Sequence, residues 1–350
     1  MRVPPEILGL IKENKKILIV SHINPEGDSA GSSIALALGL KKIGKYTCIF
    51  SRDPLPEILR FLPSSDMFSQ KVPSNGFDVL FLLDCNTVKR TGLKTDCLLP
   101  VTKKIVVIDH HLPYEIEVKS SELGVWSPKY NSKLKAHNSK LITHKWIDPD
   151  ASATGVLIYK LLNALCIPVD KEIATNLYTA ILTDTGGFRY SNTNPESLNI
   201  ASQLLKAGAE PWGIAKEVYE SFSFNRLRLL SLCLNTLKRQ GKLAWATITR
   251  DMYKKTKTSV QDTETFVDYT RRIKGVEVGI LFRQVQNESP RRKGLYKISL
   301  RSKGRVDVAE IAGLFGGGGH HNAAGCELKG SLEEVKKKVF GVIKKAIKKL

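Results

Sequence analysis

Short apolar runs separated by stretches of helical periodicity fill the first two hundred or so residues of the chain. The runs fall at 16–21, 46–50, 77–84 and 104–109 and are rich in Ile, Val, Leu and Phe, so they read as strands. The apolar spacing turns helical at 29–43, 152–165 and 171–183. Strands that alternate with helices in this way predict an α/β fold with a doubly wound, mainly parallel sheet. The pattern lapses at 112–147, where Ser, Lys and Asn accumulate without a period. That stretch reads as a long surface excursion, with room for short strands, that re-enters at Trp146-Ile147-Asp148-Pro149. Residues 196–240 have helical periodicity broken by Pro211 and Gly213. A second alternating unit follows, with strands near 243–249, 276–285 and 295–301 and helices near 263–272 and 307–315. The last helix, at 331–349, gathers Val335, Val339, Val342, Ile343, Ala346, Ile347 and Leu350 on one face with seven lysines elsewhere. It reads as an amphipathic docking helix with a solvated face, not a membrane element. The expected domains are 1–207, a helical linker at 208–240, and a smaller α/β domain at 241–350.

Charge alters this picture more than bulk composition does. The chain has 350 residues, 42% of them hydrophobic, which is ordinary for a globular protein. With 54 Lys and Arg against 34 Asp and Glu, it carries +20. Such a field attracts polyanions, so phosphates or nucleic acid are the expected partners. Cys48, Cys85, Cys97, Cys166, Cys233 and Cys326 contain no C-x-x-C pair and read as reduced thiols. No apolar run approaches the length of a membrane span, and MRVPPEILGLIKENKKILIV lacks a signal-peptide core. A cytoplasmic protein with no membrane partner is expected.

The acids and histidines are placed for chemistry. Asp109, His110 and His111 follow the run Ile105–Ile108, Asp84 closes FDVLFLL, and His22, Glu26 and Asp28 follow KKILIV. Asp184 ends an apolar helical stretch. In an open parallel sheet the carboxyl ends of the strands share one edge, so these segments can converge on one crevice. A carboxylate-dominated set with imidazoles and no thiolate suits Mn²⁺ or Mg²⁺ better than structural zinc. The excess of carboxylates suggests two ions sharing a bridging acid, as in enzymes that split phosphate esters. Elsewhere, Gly316–Gly319 lack side chains, so their amides could approach an anion, with His320 at the end of the run. Arg301-Ser302, closing LYKISL, offers a forked donor and a hydroxyl suited to a terminal phosphate. His321 reads equally as a substrate contact or a structural histidine. His137 and His144 read as solvated loop histidines, and Arg189 and Tyr190 as phosphate or base contacts or parts of a structural salt bridge.

The motifs HINPEGDS, LLDCN, VVIDHH, ILTDTGGFRYSNT and GGGGHHNAAG together resemble the DHH phosphoesterase superfamily over nearly the whole chain. The resemblance is closest to the bifunctional oligoribonucleases (nanoRNases) that also dephosphorylate 3′-phosphoadenosine 5′-phosphate (pAp). It implies that His22, Glu26 and Asp84 hold one divalent ion and Asp28, Asp84, His110 and Asp184 a second, with Asp84 bridging. His111 would then face the scissile phosphate while Asp109 orients the histidines. Arg301, Ser302, Gly317, Gly318, Gly319 and His320 would anchor substrate, with short RNA oligonucleotides and nucleotide phosphates as partners and a cleft between the domains as the place of reaction. Mn²⁺ is favoured over Mg²⁺, and a homodimer is compatible with the pattern. Glu26 stands where the family usually has Asp, and the longer arm bears on that ion's spacing. Among rival readings, a type II inorganic pyrophosphatase is disfavoured by the glycine-rich GGGGH. A cyclic- or linear-dinucleotide phosphodiesterase stays open in soluble form. A non-catalytic nucleic-acid binder is disfavoured because clustered acids would repel a polyanion.

Overall fold

The computed structural model describes residues 2–71, 76–93, 102, 104–111, 142–286 and 294–348. Two units divide the chain, Met1–Ser221 and Phe222–Leu350. In the first, α1 (Pro5–Glu13) leads into β1 (Lys16–Val20), α2 (Gly27–Lys42), β2 (Tyr46–Phe50), β3 (Phe68–Ser69), β4 (Val79–Leu83), β5 (Lys104–Asp109) and β6 (Ile142–Ile147). These six strands form one sheet in the order β3-β2-β1-β4-β5-β6, with every pair parallel. All five residues of β4 are buried, because a parallel sheet is covered on both faces. Chain order reverses direction between β1 and β4, so the ends of these neighbouring strands leave a crevice where ligands can bind. Ser21-His22 and Asp84 sit there.

The sheet is packed by α2, α3 (Thr154–Ala164) and α4 (Lys171–Asp184), through a core that includes Ile17, Ile19, Phe81, Val106, Ile34, Leu157 and Ile181. Helix α2 is buried almost all round, so its small residues serve close packing. A Cβ on Gly31 would lie 2.3 Å from the Asn176 carbonyl oxygen of α4. Glycine therefore sets the α2–α4 distance and with it the separation of Asp28 from Asp184. Helices α5 (Pro195–Lys206) and α6 (Pro211–Ala215) complete the unit.

The structure departs from the sequence pattern at β6. Residues 112–141 lie outside the described residues, as does His137, but the chain has already rejoined the sheet at Ile142. His144 is accordingly a strand residue paired with Val106, not a loop histidine. The strand escapes a hydrophobic reading because it lies at the sheet edge with Thr143 and Lys145 exposed.

In the second unit, α7 (Phe224–Leu234), β7 (Lys238–Gln240), β8 (Leu243–Ile248), α8 (Arg250–Thr256), α9 (Phe266–Arg271), β9 (Val278–Gln284), β10 (Leu295–Ser302), α10 (Val308–Gly313), β11 (Gly318–His320), β12 (Ala323–Lys329) and α11 (Leu332–Lys348) follow in order. The sheet runs β11-β12-β10-β9-β8-β7 and is mixed, with β8 and β9 parallel and the other pairs antiparallel. Helix α11 docks through Val335, Val339 and Ile343. Lys238–Gln240, within the stretch of helical periodicity, is instead an edge strand with three exposed polar residues, held by backbone pairing that leaves no hydrophobic signature.

Candidate metal centre

Each of the eight acids and histidines singled out in the first unit lies at the carboxyl edge of its sheet or on a helix end beside it. His22 follows β1, Glu26 caps α2, Asp28 lies in the first turn of α2, Asp84 follows β4, Asp109 ends β5 with His110 and His111 after it, and Asp184 ends α4. Three groups, Asp84 with His22 and Glu26, Asp84 with His110 and His111, and Asp28 with His110 and Asp184, each bring ligand atoms within 4.8 Å of one another. Asp84 is central. Its Oδ2 lies 3.3 Å from His22 Nε2, while its Oδ1 lies 3.5 Å from both His110 Nε2 and His111 Nδ1. His110 Nε2 is also 3.5 Å from Asp28 Oδ2 and 3.7 Å from Asp184 Oδ2. Glu26 Oε1 reaches to 3.7 Å from His22 Nε2 and also accepts from the Ser29 amide, which Glu, with its longer arm, can do from the cap position.

The imidazoles are oriented from behind. His22 Nδ1 lies 2.8 Å from the Ile23 carbonyl and His110 Nδ1 3.2 Å from the Ala151 carbonyl, so each ring donates through Nδ1 and turns Nε2 toward the acids. That arrangement fixes the tautomer a metal ligand needs. Asp109 grips His111, accepting from its Nδ1 at 2.6 Å and from its backbone amide at 3.1 Å. His110 Nδ1 is supported by the Ala151 carbonyl.

Burial and mutual contact shift the ionisation of the acids and histidines of the site. Burial raises the pKa of Asp28 well above its usual value, reinforced by repulsion from Asp84, and burial with neighbouring acids lifts Asp184 to about 7. Burial also opposes ionisation of Asp84, but hydrogen bonds from His110 and His22 outweigh it and hold that carboxyl well below its usual range. Conversely, although burial disfavours their charged forms, Asp84 and Glu26 raise His22 to about 10, and Asp84, Asp184 and Asp28 raise His110. Protonated imidazoles thus take the cationic role among four carboxylates. A set of carboxylate oxygens and imidazole nitrogens without thiolate fits hard divalent cations.

Several residues of the site carry no sequence signal of their own type. Thr154 N and Gly155 N, at the start of α3, donate to Asp28 Oδ2 and Oδ1 at 2.7 and 2.9 Å, and Thr154 Oγ1 donates to Asp84 Oδ1 at 3.1 Å. Ser32 Oγ donates to Asp28 Oδ1, and Asn192 Nδ2 to Asp184 Oδ2. The small residues of ASATG and the Asn that follows the TGGF turn were the available hints. Arg189 directs its Nε to the Gly186 carbonyl, a structural role within that turn.

The second unit's candidates occupy one sheet end but differ in availability. Arg301 is partly buried, with Asp268 Oδ1 3.5 Å from its Nε. Ser302 is buried, accepts from the Gly304 amide and donates to Asn322 Oδ1. The amides of Gly316 and Gly317 donate to the Gly313 and Ala312 carbonyls at the end of α10. Gly317 is glycine for packing, since a Cβ there would lie 2.1 Å from the Gly325 carbonyl oxygen. Gly318 and Gly319 lie in β11, opposite Gly325 and Ala324, and the side chain of His320 lies outside the described residues. His321 is structural: its Nδ1 meets Asp307 and its Nε2 the Gly304 carbonyl.

Residues 16–181 match the DHH family, N-terminal domain, and residues 240–349 match the DHHA1 domain. A Thermus thermophilus protein named as a bifunctional oligoribonuclease and PAP phosphatase NrnA is 30% identical over 99% of this chain and 94% of its own. The chain belongs to the DHH family. A Mycoplasma genitalium protein of the same name is 25% identical, over 99% of this chain and 97% of its own. The crystal structure of an exopolyphosphatase-related protein from Bacteroides fragilis superimposes with a TM-score of 0.79 at 29% identity, covering 99% of this chain and 95% of that one. The protein is therefore a DHH phosphoesterase resembling the NrnA relatives, and its two matched regions account for the acid-rich first unit and the glycine-rich second.

Proposed function

We propose that this DHH phosphoesterase hydrolyses very short RNA oligonucleotides to nucleoside monophosphates and also converts pAp to AMP, using two divalent cations, Mn²⁺ before Mg²⁺. The observation that carries the reading is Asp84, whose two carboxylate oxygens face His22 on one side and His110 with His111 on the other. His22, Glu26 and Asp84 would hold one cation, and Asp28, Asp84, His110 and Asp184 the other. Bound there, two cations would neutralise phosphate charge and lower the pKa of a water. His22 and His110 would ligate through Nε2 in the neutral form, because metal ligation requires the neutral ring. His111, gripped at Nδ1 by Asp109, would face the scissile phosphate. In the second unit Arg301, Ser302, Gly317, Gly318, Gly319 and His320 are assigned to anchor a substrate phosphate, with Arg301 as the charged donor.

The names of the NrnA relatives support the choice of oligoribonucleotide and pAp as substrates. Among the described residues no helix is long and apolar enough to cross a membrane, and we assign the enzyme to the cytoplasm as part of the same proposal. The test is incubation of the purified protein with Mn²⁺ and, separately, labelled RNAs of two to twenty-four nucleotides, pAp, cyclic dinucleotides and pyrophosphate. Fastest turnover on the shortest RNAs together with pAp is expected. Turnover of pyrophosphate alone, or of cyclic dinucleotides in preference to all linear substrates, would overturn the assignment.

A further inference from the structure

Asp84 is held in a conformation that its own backbone does not favour. Its φ is 58°, a left-handed value that is strained for a non-glycine residue and persists only where the surroundings enforce it. The backbone is fixed by the Asp84 amide donating to the Ile108 carbonyl at 3.0 Å. Besides the imidazoles, Thr154 donates to this carboxylate through Oγ1 at 3.1 Å. Thr154 also donates its amide to Asp28 Oδ2, from 126 residues away in sequence. One residue thereby touches a carboxylate of each proposed ion site.

The reason lies at the start of α3. Ala153 occupies the cap position and has no side chain able to satisfy the first amides of the helix. Those amides are donors without helical partners, at the positive end of the dipole. Asp28 takes both, accepting from Thr154 and Gly155. Thr154, at the first helical position and fully buried, then has its hydroxyl left to point across the site at Asp84.

We propose that Thr154 is a positioning residue for the two-ion centre: its hydroxyl sets the plane of the Asp84 carboxylate so that one oxygen serves the His22 side and the other the His110 side. The inference rests on the two-ion reading above. Without the hydroxyl, Asp84 rotates toward whichever cation binds first and the pair is no longer bridged. Thr154→Val removes the donor at constant shape and leaves the backbone contacts to Asp28 in place, while Thr154→Ser restores the donor.

The experiment is Mn²⁺ titration by calorimetry with electron paramagnetic resonance on the loaded proteins, neither of which depends on turnover. Wild type and Thr154→Ser are expected to bind two ions and give the spectrum of an exchange-coupled pair. Thr154→Val is expected to bind the second ion roughly ten- to a hundredfold more weakly, the range for loss of a hydrogen bond to a charged group, and to lose the coupled spectrum. If circular dichroism shows Thr154→Val unfolded, Thr154→Ala is titrated in its place. Wild-type affinity and coupling in a folded Val or Ala variant would overturn the inference alone. A wild type that binds a single ion would overturn the two-ion reading and this inference with it.

Discussion

The left-handed backbone at Asp84 decides which substitution reports on its carboxylate. Alanine would confound loss of the ligand with strain, whereas Asn tolerates positive φ. Asp84→Asn is expected to retain the fold and lose turnover on the order of 10³-fold or more, since both ions depend on this side chain. Near wild-type kcat on a dinucleotide would remove Asp84 from the centre. A pH effect belongs to the same scale. Asp184 has its pKa raised by burial from 3.8 to about 7, so its contribution to stability is complete below 3.8 and is lost as pH rises through 7. Asp28 is shifted in the same direction. These two groups therefore burden the metal-free protein more at pH 8 than at pH 5, and a bound cation relieves that burden. Saturating Mn²⁺ should raise Tm by several degrees at pH 8, where about 2.7 kcal/mol is gained at a hundredfold excess over Kd. At pH 5 the gain should shrink, because protons compete for the same oxygens. Differential scanning calorimetry at both pH values checks the sign, and an equal or larger gain at pH 5 would refute it.

Among the elements, the contact of α2 with α4 carries the most specific prediction. The Gly31 Cα faces the Asn176 carbonyl so closely that an added methyl group would sit 2.3 Å from the oxygen. Backbone cannot yield as a flexible side chain does, so Gly31→Ala should cost about 1–3 kcal/mol, the range for overpacking, despite alanine's better helix propensity. It should also push Asp28 away from Asp184, lowering metal affinity in the protein that remains folded. Chemical denaturation with and without Mn²⁺ measures both. A stabilised Gly31→Ala protein would show that the helices part without cost. Element type was largely legible because β1, β4 and β5 are continuous apolar runs. The edge strands β6 and β7 were not, since an edge needs only backbone partners and can be polar throughout.

For the molecule as a whole, two regions with different chemistry share one chain: an acid-rich centre, and a basic unit with Arg301 partly buried on a strand end. If Arg301 anchors a substrate phosphate, Arg301→Ala should raise KM for 5′-phosphorylated dinucleotides roughly ten- to a hundredfold, the loss of a charge-assisted bond. Metal content should be unchanged, and bis-p-nitrophenyl phosphate, which carries no second phosphate, should be affected less. Equal losses in kcat/KM on both substrates would remove Arg301 from that role. The +20 charge contributes a separate, diffuse attraction that added salt should weaken for all anionic substrates alike.

The acids and histidines of the centre were legible because ligand chemistry restricts residue type and because each follows a recognisable strand or ends a helix, as His22, Asp84, His110 and Asp184 do. Type and position along the chain suffice to nominate them. Their supports were not legible, since a backbone amide or a hydroxyl can be supplied by almost any residue that the fold brings near. Thr154 reaches Asp28 and Asp84 only because α3 starts beside β4, and Ala151 holds His110 through a carbonyl that every residue possesses. The same limit applies to Gly317 and Ser302, whose types suggest anion binding while the fold also engages the amide of one and the hydroxyl of the other. Sequence determined which groups could do the chemistry; tertiary structure decided which remained available, because hydrogen-bond partners are assigned by distance in space and not along the chain.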